Sequence, residues 1–431
     1  MKWLLPLSLF IAGCSAADNR ITIRIANWGG AGEEGPYQDA INKVNRDFEA
    51  KHPGVKVVIE GIPGEYEQKM LLNHIAGSMP DVMVLDAASA STFVDNGLMT
   101  DLSPFFEKEP GLREQYFPEV FMPFSRGRAV YGLPNDFTPM VVYYNKALFD
   151  KAKVPYPKPE WNFEEFLQTA RQLTNHDKGQ YGFGLTNWMP GWVMWLWNNG
   201  GDTVSPDGRA SGIFDSDANV ETISFLRDLA TKHKVAPTLS ETAALGGDYF
   251  EKGKAAMTVS GHWSLVGFRA SKDIDSKQLG IAPMPNNRVA PGPRTKGTGS
   301  QTVLYLSAYG IPQHAKNKEL AWEYIKAWTS YEVQSVYNKT GIAVCARKDV
   351  AADRAEVGTK PPSIEALQER SFLPIIPTGR APYGAFLAGY SVVEVAGKSV
   401  LDTLLNNPER DVKKELTKAA AIIDREFAKR R

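Results

Sequence analysis

Cysteine is scarce in this chain. Cys14 and Cys345 are the only two in 431 residues. Cys345 reads as a small buried residue rather than a reactive thiol. The six histidines are scattered without the spacing of metal ligands, so no metal site is expected. Neither sign of charge is in excess: 49 lysines and arginines balance 49 aspartates and glutamates. A neutral chain has no electrostatic footprint for nucleic acid. No stretch is both apolar and long enough to span a bilayer. The usual catalytic signatures are missing as well. His-Glu-x-x-His, Gly-x-x-x-x-Gly-Lys-Ser/Thr and Gly-x-Ser-x-Gly do not occur. Gly297-Thr298-Gly299-Ser300-Gln301 lacks the last glycine of a dinucleotide fingerprint and does not sit in a strand-to-helix turn. No cofactor is expected. A glycosidase needs only two apposed carboxylates, and none of the many present is singled out as a pair. An exported glycoside hydrolase is therefore the competing class.

What the chain has is length and aromatic rings. At 431 residues it exceeds the size at which a single core stops growing, so two lobes are expected. Its 43% apolar content suffices for a packed core. Ten tryptophans and 16 tyrosines are many for this size, and Trp188, Trp192, Trp195 and Trp197 fall within ten residues. Some of these must be core. Indoles beside Asn and Gly also make flat apolar plates bordering polar groups, a surface suited to a pyranose ring.

Along the chain, Ile21 to Ala26 reads as a strand. Tyr37, Ile41, Val44 and Phe48 recur at helical spacing until His52-Pro53-Gly54 stops them. Val55 to Ile59 is a second strand, Tyr66 to Ala76 a second helix, and Val82 to Leu85 a third strand. This βαβαβ order predicts a parallel sheet covered by helices, with ligands beyond the carboxyl ends of its strands. A second unit begins at Val141 to Tyr144. Asn162 and Glu165 read as a capping box, with Phe166, Ala170 and Leu173 on the apolar face behind it. Strands follow at Tyr181 to Leu185 and Ala255 to Ser260, with an apolar run at Val303 to Ile311. Val220 to Ala230, Ala321 to Trp328 and Val412 to Phe427 are helical. Ala290 to Ser300 is Pro/Gly-rich and suits a loop.

The N-terminus carries a positive charge at Lys2, then an apolar run from Trp3 to Ile11 too short to cross a membrane, then Ala12-Gly13-Cys14. This resembles a bacterial lipoprotein signal with the lipobox Ile11-Ala12-Gly13-Cys14. The resemblance implies removal of residues 1–13, lipid on Cys14, a short tether over 14–19, and no intramolecular disulfide in the mature chain. Six further blocks occur in order: Phe48 to Val57; Pro80-Asp81-Val82-Met83-Val84; Tyr143 to Phe149 with Trp161 and Phe166; Asn199-Gly200-Gly201; Phe250 to Met257 leading into Gly261-His262-Trp263; and Lys316 to Ile325. The ordered set resembles the extracellular solute-binding proteins of ABC importers, in the sugar-binding family that includes maltose-binding protein. The resemblance implies a type II periplasmic-binding-protein-like α/β fold, with two lobes, each a mostly parallel sheet flanked by helices, joined by a three-crossing hinge. One lobe would hold 20–136 and 307–343, the other 139–304 and 346–431. It implies a monomer outside the cytoplasm, held to a membrane through Cys14. Such a protein captures a carbohydrate between its lobes, hands it to ABC permease subunits and performs no covalent chemistry.

The same resemblance places the candidate site. Trp263 follows the strand end at Gly261, where the family sets an aromatic under a sugar ring. Trp188 and Trp192 fall in a loop before Asn199-Gly200-Gly201 where rings are also presented. Tyr383 offers another. Trp28-Gly29-Gly30 follows the first strand, and its glycines let backbone N–H groups approach closely. Tyr66 begins a helix facing the cleft. Asp86 ends the third strand, placed either to accept from sugar hydroxyls or to cap the next helix. Asp136 lies at the first hinge crossing, and Ser300 and Gln301 just before the second. Arg380 is a candidate for an acidic substituent, set against plain solvation at the surface.

Overall fold

The computed structural model describes residues 20–28, 36–62, 65–287 and 299–429. The lipobox with Cys14, the glycines Gly29 and Gly30, and most of the Pro/Gly-rich loop lie outside the described residues.

The first sheet starts as the hydrophobic pattern dictates. Strand β1 (Ile21–Asn27) pairs in parallel with β2 (Val55–Gly61) and with β3 (Val82–Asp86). The helix between β1 and β2, Pro36–Lys51, buries Ile41, Val44 and Phe48, and the chain turns back at Gly54, whose φ of 94° suits glycine. A short hairpin, β4 (Ser125–Arg126) and β5 (Ala129–Val130), precedes β6 (Leu133–Pro139). The second sheet contains β7 (Val141–Asn145), β8 (Tyr181–Gly184), β9 (Ala255–Ser260) and β10 (Leu279–Ala282) in the order β10-β7-β9-β8. The chain then returns to the first sheet as β11 (Thr302–Gly310), followed by β12 (Val344–Cys345) and β13 (Gly379–Arg380).

Both sheets are mixed rather than mostly parallel. β8 and β9 are parallel, but β7 is antiparallel to β9 and to β10. In the first sheet β11 is antiparallel to β3 and β6, and β12 to β6. The reason is connectivity. β6 runs through Met140 directly into β7, and β11 returns beside it, so strands leaving and entering a sheet point in opposite directions. Met140 is held on both sides: its N–H donates to Val303 O at 3.2 Å, and its carbonyl accepts from Thr302 Oγ1 at 2.6 Å. A third passage follows β12. Helix Lys348–Arg354 still packs on helix Tyr331–Lys339, while helix Ile364–Phe372 lies against β10.

Two apolar clusters fill the molecule. One surrounds the first sheet and continues over one face of the second through Tyr143, Phe268 and Phe372. The other covers the opposite face of the second sheet and is rich in rings, among them Phe166, Trp192 and Trp195. Helix Phe163–Leu173 belongs to it. Both bonds of the Asn162/Glu165 capping box form, and Phe163, Phe166, Leu167, Ala170 and Leu173 are buried at helical spacing.

Candidate functional site

Three strand ends meet where the two sheets face each other. β1 ends beside Trp28, β3 ends at Asp86, and β9 is followed by Gly261-His262-Trp263. Together with the paired strands β6 and β11 they enclose a cavity of about 690 Å³. Such a cavity, beyond the carboxyl ends of parallel strands, is where open α/β sheets take ligands.

Its rings form a cluster. Trp188 and Tyr305 stack at 6.3 Å between centroids and 27° between planes. Trp263 stands edge-on to Trp188 at 6.1 Å and tilted to Tyr305 at 6.2 Å. The Tyr305 hydroxyl donates to Pro190 O at 3.4 Å, which ties the Trp188 turn to the crossing strand. Trp28 projects from the opposite side and is 40% exposed, unusual for a large ring. Gly261 does not line the cavity, but it permits the cluster. A Cβ there would lie 2.4 Å from the Trp263 ring and 2.5 Å from Thr138 Cγ2.

The polar lining is acidic. Asp136 is buried, and both its oxygens are occupied, by Ser307 Oγ at 2.6 Å, Asn135 Nδ2 at 2.8 Å and the Tyr337 hydroxyl at 2.5 Å. Burial nevertheless raises its pKa above the usual carboxylate range against those three donors. Asp86 closes a turn on Ala88 N–H at 2.8 Å through Oδ1. Burial first, then the charges of Asp136 and Glu67, push it up to about 6. Glu394, on helix Ser391–Asn406, has no hydrogen-bond or ionic partner for its carboxylate among the described residues, and burial with Asp86 and Glu67 pushes it up to about 7.

Glu394 therefore destabilises the empty protein once ionised. Its folded pKa lies above the ordinary glutamate value near 4.5, so stability is lost as pH rises through about 7. Glu394→Gln is expected to stabilise the unliganded protein at pH 8 by about 1 kcal/mol, after discounting for partial exposure, and to change little at pH 5. Urea unfolding at the two pH values checks this; equal effects at both would contradict it.

The expected site residues divide. Trp28, Asp86, Asp136, Trp188 and Trp263 line the cavity. Tyr66 lines an adjoining recess of about 200 Å³ that shares Trp28, Asp86 and Glu394 with it. The Tyr66 hydroxyl donates to Ala26 O at 3.3 Å and accepts from Val84 N–H at 3.1 Å, bracing β1 against β3. Trp192 needs correcting. It lies in a buried helix, Met189–Asn198, not a loop, and is 1% exposed. Gln301 is also turned away. Its backbone exchanges two 2.8 Å bonds with the Asn198 side chain, and neither it nor the buried Ser300 lines the cavity. Arg380 is already neutralised: its guanidinium bonds Asp202 at 2.9 Å and lies 4.2 Å from the Trp197 ring centroid. Tyr383 donates to the same Asp202 at 2.7 Å and lines only a narrow crevice behind Tyr305. Thr138, Tyr305, Ser307, Tyr337 and Glu394 line the cavity without having been singled out in the sequence. A lone glutamate inside Val392-Val393-Glu394-Val395 was the one available signal. Cys345 is buried, and burial pushes its thiol up to about 12, which leaves it inert.

Two α/β lobes with a ring-lined cavity between their strand ends define a two-lobed binding protein. The chain belongs to the bacterial extracellular solute-binding protein family, whose profile matches residues 31–335. It is 23% identical over 344 residues to the arabinooligosaccharide-binding protein of Bacillus subtilis (strain 168), covering 75% of this chain and 73% of that protein. It is 24% identical over 331 residues to an erythritol/L-threitol-binding protein of Mycolicibacterium smegmatis, covering 71% and 67%. Among solved structures, an ABC substrate-binding protein from Listeria monocytogenes in complex with cycloalternan shares the fold with a TM-score of 0.75 at 21% identity, over 95% of this chain and 99% of that one. The maltotriose-binding protein of Thermus thermophilus does so with a TM-score of 0.70 at 20% identity, over 95% and 100%.

Proposed function

We propose that the protein captures a carbohydrate in the cavity between its sheets and delivers it to an ABC permease. The observation that carries this is the ring cluster of Trp188, Trp263 and Tyr305 at one wall of a 690 Å³ cavity, with carboxylates and hydroxyls at its edges. Apolar sugar faces stack on rings while hydroxyls bond to planar acceptors. The names of relatives support the same class of cargo, arabinooligosaccharide and erythritol among them. On this reading the lobes close about the paired strands β6 and β11, and the bound state is stabilised by contacts the ligand makes to both. The chain acts as a monomer held outside the cytoplasm by lipid on Cys14.

The test is a thermal-shift screen against mono- and oligosaccharides, since a ligand that binds only the native state raises its midpoint. A positive sugar should then lose about 2 kcal/mol of binding in Trp263→Ala, roughly thirtyfold in Kd, with little loss of stability. If no carbohydrate shifts the midpoint, or if Trp263→Ala binds as wild type does, the reading fails.

A further inference from the structure

The cavity and its adjoining recess carry four carboxylates, Glu67, Asp86, Asp136 and Glu394, and no lysine, arginine or histidine among the described residues that line them. They carry Trp28, Trp188, Trp263 and Tyr305 in the same space. We propose that the cargo is a cationic carbohydrate, an amino sugar or an oligosaccharide containing one, whose protonated amine sits between the rings and the carboxylates Asp86 and Glu394. The inference rests on the carbohydrate reading of the cavity and deepens it.

Two independent features converge. The rings offer negative π-faces to a cation. The carboxylates offer charge that nothing on the described walls compensates. Asp136 is satisfied by its three donors. Asp86 uses one oxygen for the Ala88 turn, and Glu394 uses neither. Asp86 raises Glu394, Asp136 raises Asp86, and Glu67 adds to both from helix Tyr66–Ile75. The phenols of Tyr66, Tyr305 and Tyr390 also face this space, and burial holds all three neutral. A neutral hydroxyl would satisfy hydrogen bonds here but leave the repulsion. An ammonium group relieves both at once. A metal ion is a poorer fit, because no group of three His, Cys, Asp or Glu side chains among the described residues could hold one. The only arginine expected to meet an anionic cargo, Arg380, is paired with Asp202 away from the cavity.

The experiment compares sugars that differ only in amines replacing hydroxyls, one per sugar residue. The pairs are glucosamine and glucose, galactosamine and galactose, and the glucosamine trisaccharide and cellotriose. Each is titrated calorimetrically into the full chain at pH 5 and pH 7, with calcium chloride alone as a further arm. The amino member of any pair that binds should bind at least tenfold tighter at pH 7. Its affinity should rise from pH 5 to pH 7, because it selects the ionised forms of Asp86 and Glu394. Glu394→Gln should reduce that preference to below threefold at pH 7; an undiminished preference in the variant overturns the assignment of the amine to Glu394. Equal or tighter binding of the hydroxyl member overturns the inference and leaves the carbohydrate reading standing. Tight binding of calcium alone assigns the charge to a metal and overturns it too. If these pairs and the wider carbohydrate screen give no binding, both readings fall together.

Discussion

Trp192→Ala is expected to lower the unfolding free energy by about 3–5 kcal/mol, the cost of deleting a large ring from a closed core. The ring sits in helix Met189–Asn198, where every residue but Gly191 is buried. Its Nε1 donates to Asn187 Oδ1 at 3.2 Å. Helix Ser391–Asn406 comes so close that a Cβ on Gly397 would meet Met189 Sδ at 2.4 Å and Trp192 Cη2 at 3.2 Å. Facing elements at that separation cannot collapse into the cavity the mutation leaves, so the loss falls at the high end of the range. Urea unfolding measures it, and Trp192→Phe should recover about half. Sugar affinity of the folded fraction should change by less than about threefold, because the ring does not line the cavity. A loss below about 1 kcal/mol together with a thirtyfold loss of affinity would place the ring in the site instead.

That contrast explains what could be read from the sequence. Elements with local signals were legible. The Asn162/Glu165 box marked the start of one helix, and alternating strands and helices over 21–86 marked the three parallel strands β1, β2 and β3 of the first sheet. Strand ends then led to Trp28 and Asp86, because the position of a ligand beyond strand ends is a property of topology, while the family resemblance pointed to Trp263. The helix Met189–Asn198 was not legible, since a helix apolar on all sides shows no stripe at helical spacing. Trp192 therefore reads, with Trp188, as part of a loop before Asn199-Gly200-Gly201. Of the four clustered tryptophans, Trp188 at the N-terminal flank lines the cavity, beside Pro190 of the first turn. Partners distant in sequence were equally hidden. Arg380 is taken by Asp202, and Gln301 by Asn198, across 178 and 103 positions. Tyr305 and Ser307 sit on a strand that reads as uniformly apolar core, yet its crossing between sheets exposes one face to the cavity.

Glu369→Ala is expected to destabilise the protein by about 3–5 kcal/mol, the cost of removing a buried carboxylate from the arginines and the histidine that it holds. Glu369 stands on helix Ile364–Phe372 and accepts from His262 Nε2 at 2.7 Å, with side-chain exposures of 5% and 0%. The other ring nitrogen, Nδ1, faces Gly341 O at 3.0 Å. Both ring nitrogens thus face oxygen atoms, the Glu369 carboxylate and the Gly341 carbonyl, which fixes the ring from two sides. Arg269 and Arg354 add their charge at 3.3 and 3.7 Å. Burial alone would raise the Glu369 pKa, but His262 and the two arginines reverse this and hold it below the usual range. Its contribution is therefore fully present above the unfolded value near 4.5 and is lost as pH falls through the depressed folded value. The arginines can turn to water when the carboxylate is removed; His262, fully enclosed, cannot. Glu369→Gln keeps one acceptor and should lose less than the alanine variant. The effect should reach the cavity as well. His262 is the residue before Trp263, and Gly341 precedes Ile342 and Ala343 in the opposite wall. The pair thus clamps both walls at one point, and sugar affinity in Glu369→Ala should fall about tenfold even where the protein remains folded. Urea unfolding between pH 4 and pH 8, with titration of a bound sugar, checks both. A stability loss below about 1 kcal/mol at pH 7 would show that the network is not what holds the platform in place.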